Sequence, residues 1–252
     1  MAPKVRHRIS LLVCLLLFLS PLAGPQAQAA AADPEALVRA ADDFRFPSGD
    51  VRFRVKVVDF KKGKQQRESE YRVLSDGKGR SLVETMKPER QKGRKLLMVQ
   101  SELWFYSPDI RKPVRVSLQQ KLTGEVANGD LANTNFAGDY TATVSGTEVS
   151  GGKKLTLLKL KAKSKSATYA AVDYWIDTDT GAPVRAHFLS TSGKIMKRGY
   201  FEKYGAVLGK NRLVQMKVED AIEKSRVSVL HYSEFSREAI SAATFSKESI
   251  GR

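Results

Sequence analysis

The segment Val51-Arg52-Phe53-Arg54-Val55-Lys56-Val57 (VRFRVKV, 51–57) decides the fold class. Its odd positions are all apolar and its even positions are all basic. A period of two is typical of a β-strand, because successive side chains of a strand point to opposite faces. A strand with one apolar face and one charged face belongs in an antiparallel sheet that covers a core on one side and meets water on the other.

Similar segments continue on both sides of this strand, and turn residues such as Asp76-Gly77 and Gly151-Gly152 separate most of them. We predict further strands at 67–75, 79–86, 93–100, 102–107, 113–118, 139–147, 154–163, 170–177, 183–191, 194–204, 211–220 and 225–235. An antiparallel sheet of about a dozen strands must curl to limit its exposed edges. The predicted fold is therefore mainly β (α+β): a strongly curved antiparallel sheet, or unclosed β-barrel, forming one domain over residues 30–252.

Little helix is available to cover the inner face of such a sheet. Residues 33–44 read as the first helix, with Asp33 as N-cap and Pro34 at the first helical position. The alternation stops at 119–138, and we interpret this stretch as a loop or lid. After Glu234 we expect one or two short helical turns. We predict that the first helix and the 119–138 loop pack into the concave side.

The first residues of the chain have the composition of a secretory signal peptide. A basic segment precedes the apolar run 11–19 (LLVCLLLFL), and Ala27-Gln28-Ala29 offers small residues for cleavage. A membrane anchor is the alternative, but the run is far shorter than the ~20 residues that span a bilayer. We therefore predict cleavage of residues 1–29 and a periplasmic location for the mature chain.

The chain is strongly basic, with 43 Lys and Arg against 27 Asp and Glu. For an exported protein this charge indicates anionic membranes or acidic envelope polymers as neighbours, and not nucleic acid. Single-stranded nucleic acid also requires aromatic residues interleaved with the basic ones, and the lysine-rich run 153–165 has none. This run is either a solvated face or a patch that docks on anionic lipid headgroups. Its basic residues are Lys153, Lys154, Lys159, Lys161, Lys163 and Lys165.

Few residues offer catalytic or metal-binding chemistry. Cys14 is the one cysteine, and His187 and His231 lie in different hairpins without the spacing of a metal pair. The segment 146–153 (GTEVSGGK) departs from a phosphate-binding loop, and 177–181 (DTDTG) lacks the distal ligands of a calcium loop. We expect no cofactor, no metal and no catalytic residue, although a carboxylate pair that meets only in space stays open.

The segment 96–107 (LLMVQSELWFYS) predicts a hairpin with large apolar residues on both faces. One face must meet the core, and the other must meet a helix, a lid or a ligand. Aromatic residues in strands usually belong to a core. A sheet with too few helices to cover it also leaves an apolar concavity suited to an acyl chain. We predict that such a cavity is lined by Leu97, Val99, Leu103, Trp104, Phe105, Tyr106 and Phe136.

Residues 82–118 and several later segments resemble the LolA-like family of outer-membrane lipoprotein-sorting proteins. The family pattern matches Pro88, a basic patch at Lys92-Gly93-Arg94, an apolar strand, Glu102 to Pro108 (ELWFYSP), a basic strand at 111–117, and Gln119 or Gln120. A later element, Trp175-Ile176-Asp177 followed by Thr180 and Pro183, is also similar. The resemblance spans roughly residues 50–250.

The resemblance implies a periplasmic carrier with an unclosed barrel around a hydrophobic cavity. Such proteins move lipids or lipid-modified proteins through the envelope towards the outer membrane, and this subgroup resembles the soluble partner of an RND/MMPL-type inner-membrane exporter. Fold similarity alone does not name the cargo. The alternatives are a non-enzymatic sensor or adaptor that binds envelope proteins or polysaccharide, and an envelope hydrolase with a carboxylate pair or triad.

Overall fold

The alternating segment at 51–57 forms the first part of strand β1 (Val51–Lys61) in a computed structural model that describes residues 33–110, 112–132 and 135–251. From Val51 to Val57 the apolar side chains are buried and the basic ones are exposed, as the pattern predicts. The same parity continues to Asp59, so this carboxylate points to the buried side of the strand.

Fourteen further strands follow β1 in the described residues. They are β2 (Lys64–Ser75), β3 (Arg80–Lys87), β4 (Lys95–Val99), β5 (Glu102–Tyr106), β6 (Val114–Val116), β7 (Lys121–Thr123), β8 (Val126–Ala127), β9 (Tyr140–Ser150), β10 (Lys153–Ala162), β11 (Ala171–Asp177), β12 (Pro183–Leu189), β13 (Ile195–Val207), β14 (Lys210–Asp220) and β15 (Arg226–Ser236).

Of the fifteen strands, β7 and β8 form a separate small hairpin, and the other thirteen form one antiparallel sheet. The strand order is β6-β5-β4-β3-β2-β1-β15-β14-β13-β12-β11-β10-β9, so neighbours in sequence are neighbours in space, and β1 and β15 join the two halves. The end strands β6 and β9 do not pair with each other. The sheet is therefore not closed into a barrel, as predicted.

The sheet is curved, and its core shows this. Thirteen strands about 4.8 Å apart would span roughly 60 Å if the sheet were flat. One continuous cluster of buried residues nevertheless includes Leu103 from β5, near one end, and Leu158 from β10, near the other. Because both ends contribute to the same core, the sheet must wrap around it.

Short helices cover the concave side. Helix α1 (Pro34–Arg45) begins as predicted, because the Asp33 carboxylate accepts a hydrogen bond from the Glu35 N–H at 3.0 Å. Its residues Val38 and Ala41 are buried in the main core. The other helices are α2 (Asn128–Ala132), α3 (Phe136–Asp139) and α4 (Lys247–Ile250), with single 3-10 turns at Glu89–Gln91 and Ala242–Phe245.

Residues 119–138, hereafter the cover segment, contain more regular structure than we predicted. They hold the hairpin β7–β8, helix α2 and most of α3. These elements are two to five residues long, so none of them is long enough to produce a periodic pattern. The predicted signal peptide (1–29) lies outside the described residues. Within the described part of the chain, no helix is both long and apolar enough to cross a membrane.

Candidate functional site

The hairpin of β4 and β5 has two apolar faces, as the sequence predicts. Residues directly opposite each other in an antiparallel pair project from the same face. The register that aligns Leu96 with Phe105 therefore places both side chains on one face. That face joins the core enclosed by the sheet, together with Leu103.

The opposite face of the hairpin packs against the C-terminal residues. Leu97 is fully buried there in a second apolar cluster, where it packs with Phe245 and Ile250. Three more of the predicted cavity residues border this cluster: Val99, Trp104 and Tyr106. Four of the seven residues predicted to line a cavity thus lie on the face that the C-terminal residues cover.

The remaining three predicted cavity residues lie in the main core, in different surroundings. Leu103 is only 1% exposed, and Phe136 borders a central void of about 20 Å³. Phe105 lines a larger, open pocket. The structure brings Phe105 alone of the seven to an accessible cavity among the described residues. Contact of any of the seven with a ligand stays a prediction.

The open pocket has a volume of about 240 Å³ and lies between strands β3–β5 and the cover segment. Its apolar wall includes Val83, Leu96 and Phe105 from the sheet and Leu122 from β7. Pockets that hold drug-sized molecules measure about 300–1,000 Å³. The pocket is therefore too small for a long lipid in this arrangement, although its wall suits part of an apolar chain.

The rest of the concave face is filled by the protein itself. Helix α1 and the cover segment bury Val38, Val126 and Leu131 against the sheet, and the void that remains beneath them beside Phe136 measures about 20 Å³. Two open clefts, of about 180 and 460 Å³, lie at the edge of the cover segment and are lined mainly by polar and charged residues. A larger cavity would therefore form only if α1 or the cover segment moved. The contacts that hold these two elements in place decide how the site could open.

One contact fastens β7 to the sheet through the buried Asp59. Its two carboxylate oxygens accept hydrogen bonds from the Thr123 hydroxyl at 2.9 Å and from the Ser228 hydroxyl at 2.6 Å. The Ser228 oxygen in turn accepts a bond from the Glu125 N–H at 2.8 Å. Gly124 approaches Asp59 so closely that a Cβ atom would overlap the carboxylate. The tip of the cover segment is thus fixed by a buried polar cluster.

A second contact fastens α2. Asp130 forms an ion pair with Lys197 of β13 at 2.5 Å and accepts a hydrogen bond from the Tyr169 hydroxyl at 2.6 Å. The Lys197 ammonium also donates to the Glu125 carbonyl at 2.9 Å. Burial and the neighbouring Asp130 carboxylate raise the pKa of Tyr169 well above its usual range, so Tyr169 remains a hydrogen-bond donor.

A third contact joins the end of the cover segment to α1. The Asp42 carboxylate accepts a hydrogen bond from the Ala137 N–H at 2.8 Å and pairs with Arg45 at 2.9 Å. The Arg45 guanidinium stacks 3.8 Å from the centre of the Phe136 ring. Burial raises the pKa of Asp42 to about 6, and the Arg45 charge opposes this shift without cancelling it.

Helix α1 itself is anchored by Arg212 of β14, which is 1% exposed. Its guanidinium donates to the carbonyl oxygens of Asp43 and Phe46, where the helix ends, and forms an ion pair with the Asp43 carboxylate at 3.1 Å. A cation at a helix C-terminus is stabilised by the helix dipole. Helix α1 is thus held rigidly at one end.

Sequence reasoning missed these buried polar residues. Asp59 alone carried a usable signal, because it continues the core-facing parity of β1. The partners of Asp130, Asp42 and Arg212 are 67, 95 and 169 residues away along the chain. A local pattern contains no information about such pairs.

The basic patch predicted at 153–165 lies on an exposed surface of β10 and the turn after it. All six lysines are exposed. Lys153 and Lys159 lie 3.4 and 3.5 Å from Asp177 and Asp173, and Lys163 donates to the Ala137 carbonyl at 3.0 Å. Of the described residues, no three His, Cys, Asp or Glu side chains gather where they could hold a metal ion.

The fold and sequence have close relatives. A crystal structure of a LolA superfamily protein from Nitrosomonas europaea is 32% identical, with a TM-score of 0.82, and the match covers 86% of this chain and 99% of that one. A DUF1329 family protein from Desulfovibrio piger is 21% identical, with a TM-score of 0.73 and coverage of 87% and 100%. A putative outer membrane lipoprotein-sorting protein domain from Vibrio parahaemolyticus is 18% identical, with a TM-score of 0.73 and coverage of 87% and 98%.

The similarities to the Desulfovibrio piger and Vibrio parahaemolyticus proteins concern the fold alone. Among curated proteins, none matches the sequence. A protein-family model with the description "Uncharacterized protein" matches residues 77–252. The similarity to the Nitrosomonas europaea protein combines 32% sequence identity with coverage of 86% of this chain and 99% of that one. The chain therefore belongs to the LolA superfamily.

Proposed function

We propose that the protein is a periplasmic carrier that binds a lipid, or the acyl chain of a lipid-modified protein, on the concave face of its sheet and moves it towards the outer membrane. One observation carries this proposal. The apolar concave face is covered by a segment that polar contacts fasten at β7, α2 and α3, and this segment already leaves a pocket of about 240 Å³ beside it.

The hydrogen bonds of the cover segment add little to the cost of opening it, and most of that cost is the exposure of apolar side chains such as Val126 and Leu131. A typical intramolecular hydrogen bond contributes only about 1 kcal/mol net, because water replaces the lost partner when the bond breaks. The Ser81 hydroxyl, which donates to the Ala132 carbonyl at 2.6 Å, is a further contact of this kind. An acyl chain that replaced the cover segment would recover about 0.8 kcal/mol for each buried CH₂ group.

Delivery requires contact with a membrane, and the exposed lysines of β10 supply a surface for it. A basic residue close to an anionic bilayer contributes about 1 kcal/mol of attraction. Lys154, Lys161 and Lys165 have no acidic partner among the described residues. An RND/MMPL-type exporter in the inner membrane is the partner we propose for loading. No covalent chemistry is needed for this function.

The test is to express the whole chain, purify the exported protein and identify bound lipids by mass spectrometry of an organic extract. We expect lipid in the wild-type protein and much less in Val116→Trp, because Val116 lines the pocket. The matched control is Val149→Trp on β9, because Val149 is 77% exposed and does not line the pocket.

Binding of a fluorescent fatty acid to delipidated protein gives a second measurement. The carrier proposal predicts saturable binding that Val116→Trp weakens at least tenfold and Val149→Trp leaves unchanged. Protein that contains no lipid after export and does not bind the fatty acid would refute the proposal.

A further inference from the structure

One arginine at the open pocket differs from the other described arginines. Within residues 33–110, 112–132 and 135–251, only Arg67, Arg90 and Arg94 lack a side-chain hydrogen bond or an ion pair to another described residue. Arg67 and Arg90 are exposed to water, which solvates their charge. Arg94 is half-buried and lines the pocket.

The position of Arg94 is fixed by the backbone and not by its side chain. Its carbonyl accepts a hydrogen bond from the Thr85 N–H at 2.8 Å, and its own N–H donates to the Gln91 carbonyl at 3.2 Å. The Gly93 N–H beside it donates to the Thr85 carbonyl at 3.0 Å. These backbone bonds hold Arg94 at the edge of the pocket, so the entropy cost of binding a ligand comes mainly from ordering its side chain.

The surroundings of Arg94 favour an anion. No Asp or Glu is among the described residues that line the pocket, and its uncharged polar groups come from Thr85, Gln91, Gln120 and Asn128. Lys95 also borders the pocket, but its ammonium group lies 5.8 Å from the Tyr106 ring, on the other face of the hairpin. Lys121 of β7 borders the pocket from the cover segment, and Glu125 lies 3.5 Å from its ammonium group.

The pocket therefore combines an apolar wall with a cation that has no acidic partner among the described residues. A guanidinium binds carboxylate and phosphate oxygens through two parallel hydrogen bonds, and such charge-assisted bonds are roughly twice as strong as neutral ones. A volume of about 240 Å³ has room for a headgroup and the first part of one chain, and not for two chains side by side.

We propose that this pocket recognises the anionic headgroup, a carboxylate or a phosphate, of a single-chain amphiphile, and that Arg94 is the residue that binds it. The proposal rests on the carrier function above and adds a ligand class to it. The apolar tail runs from Arg94 along Leu96 and Phe105 towards the region under the cover segment.

The experiment measures binding of four probes with the same twelve-carbon chain to delipidated wild-type protein by titration calorimetry, below the concentration at which each probe self-associates. The probes are laurate, dodecyl phosphate, dodecanol and dodecylamine. We expect laurate or dodecyl phosphate to bind at least tenfold more tightly than dodecanol, and dodecylamine to bind most weakly. The anion that binds more tightly indicates whether the natural headgroup is of the fatty-acid or the phospholipid kind.

Two arginine variants test the residue itself. Arg94→Gln is expected to lower the affinity for the anionic probes about tenfold and to leave dodecanol unchanged. Arg90→Gln removes the same charge from the adjacent 3-10 turn, outside the pocket. It is expected to leave the affinity for the anionic probes and the affinity for dodecanol unchanged. Circular dichroism and thermal unfolding establish that both variants fold, and Arg94→Lys is expected to keep part of the preference for anions.

The outcomes separate this inference from the carrier proposal. If dodecanol binds wild-type protein as tightly as laurate and dodecyl phosphate, or if Arg94→Gln behaves like Arg90→Gln, the assignment of Arg94 is wrong while the carrier proposal stands. If none of the four probes binds, the carrier proposal fails together with the inference.

Discussion

The hairpin of β4 and β5 is covered on both faces by chain from outside the large sheet, and the two covers differ in chemistry. The outer cover, residues 240–250, packs Phe245 and Ile250 onto Leu97 in a closed apolar cluster. The inner cover is the cover segment, which adds buried polar contacts to its apolar packing through Val126 and Leu131 and leaves an open pocket. Apolar packing suits a permanent support, whereas polar contacts that water can replace suit a cover that opens.

The comparison predicts that damage to the outer cover lowers the stability of the whole domain. Leu97→Ala should reduce the free energy of unfolding by about 4 kcal/mol, because it leaves a cavity at a fully buried position. Urea unfolding measures this change. Val99→Ala, at a partly buried position of the same cluster, is the control and should cost less. If Leu97→Ala weakens lipid binding and leaves the free energy of unfolding unchanged, the outer cover is not the permanent support that we describe.

Damage to the inner cover should instead open the cover segment. Lys197→Met leaves the Asp130 carboxylate buried without its cation, which costs about 3 kcal/mol. We expect faster amide hydrogen exchange throughout 119–138 and little change in the exchange of β1 and β2. Lys194→Met, at an exposed lysine just before β13, should leave the exchange unchanged. Uniformly faster exchange across the sheet would show that the cover segment does not open on its own.

The contact of Asp42 with Ala137 makes the inner cover sensitive to pH. The pKa of Asp42 is raised from 3.8 to about 6 by burial, so the folded protein binds this proton more tightly than the unfolded chain. The contribution of Asp42 to the free energy of unfolding is fully present below about pH 3.8 and is lost as the pH rises through about 6. Its size is about 2–3 kcal/mol at ~1.4 kcal/mol per pKa unit.

This contribution is measured as a difference between wild type and Asp42→Asn in urea unfolding from pH 4 to pH 8. Subtraction removes carboxylates such as Asp76 and Asp177, whose pKa values are lowered and whose contributions have the opposite sign. We expect the stability of the wild type relative to the variant to fall as the pH rises from 4 to 8. A difference that does not vary with pH would contradict the raised pKa of Asp42.

The smallest effect is expected for a polar contact of the outer cover. The Tyr106 hydroxyl donates to the Gly251 carbonyl at 3.3 Å in an exposed position. Tyr106→Phe should lower the free energy of unfolding by about 0.5 kcal/mol, because water replaces an exposed bond at little cost. Tyr106→Ala also removes the ring from the apolar cluster and should cost several times more. Equal losses would mean that the ring does not contribute to the outer cover.

The sequence by itself determined the class of the fold and its local elements. The alternation in β1, the cap at Asp33 and the two apolar faces of β4 and β5 all depend on contacts within a few residues. In β10 the apolar positions change phase, from Leu155 and Leu157 to Leu158 and Leu160, and the register shifts at the same point, between Leu157 and Leu158. Periodicity reports these features because each follows from local backbone geometry.

Only the tertiary structure decided which cover meets each face and which polar groups meet inside. Leu97 and Phe105 are equivalent as apolar residues in neighbouring strands, yet one packs under the C-terminal residues and the other lines the open pocket. The partners of Asp59 are 64 and 169 residues away, and Arg94 is distinguished by lining a pocket while its guanidinium has no hydrogen bond or ion pair to another described residue. These contacts form only when the sheet curves and brings segments that are distant in sequence together. A local sequence pattern therefore contains no information about them.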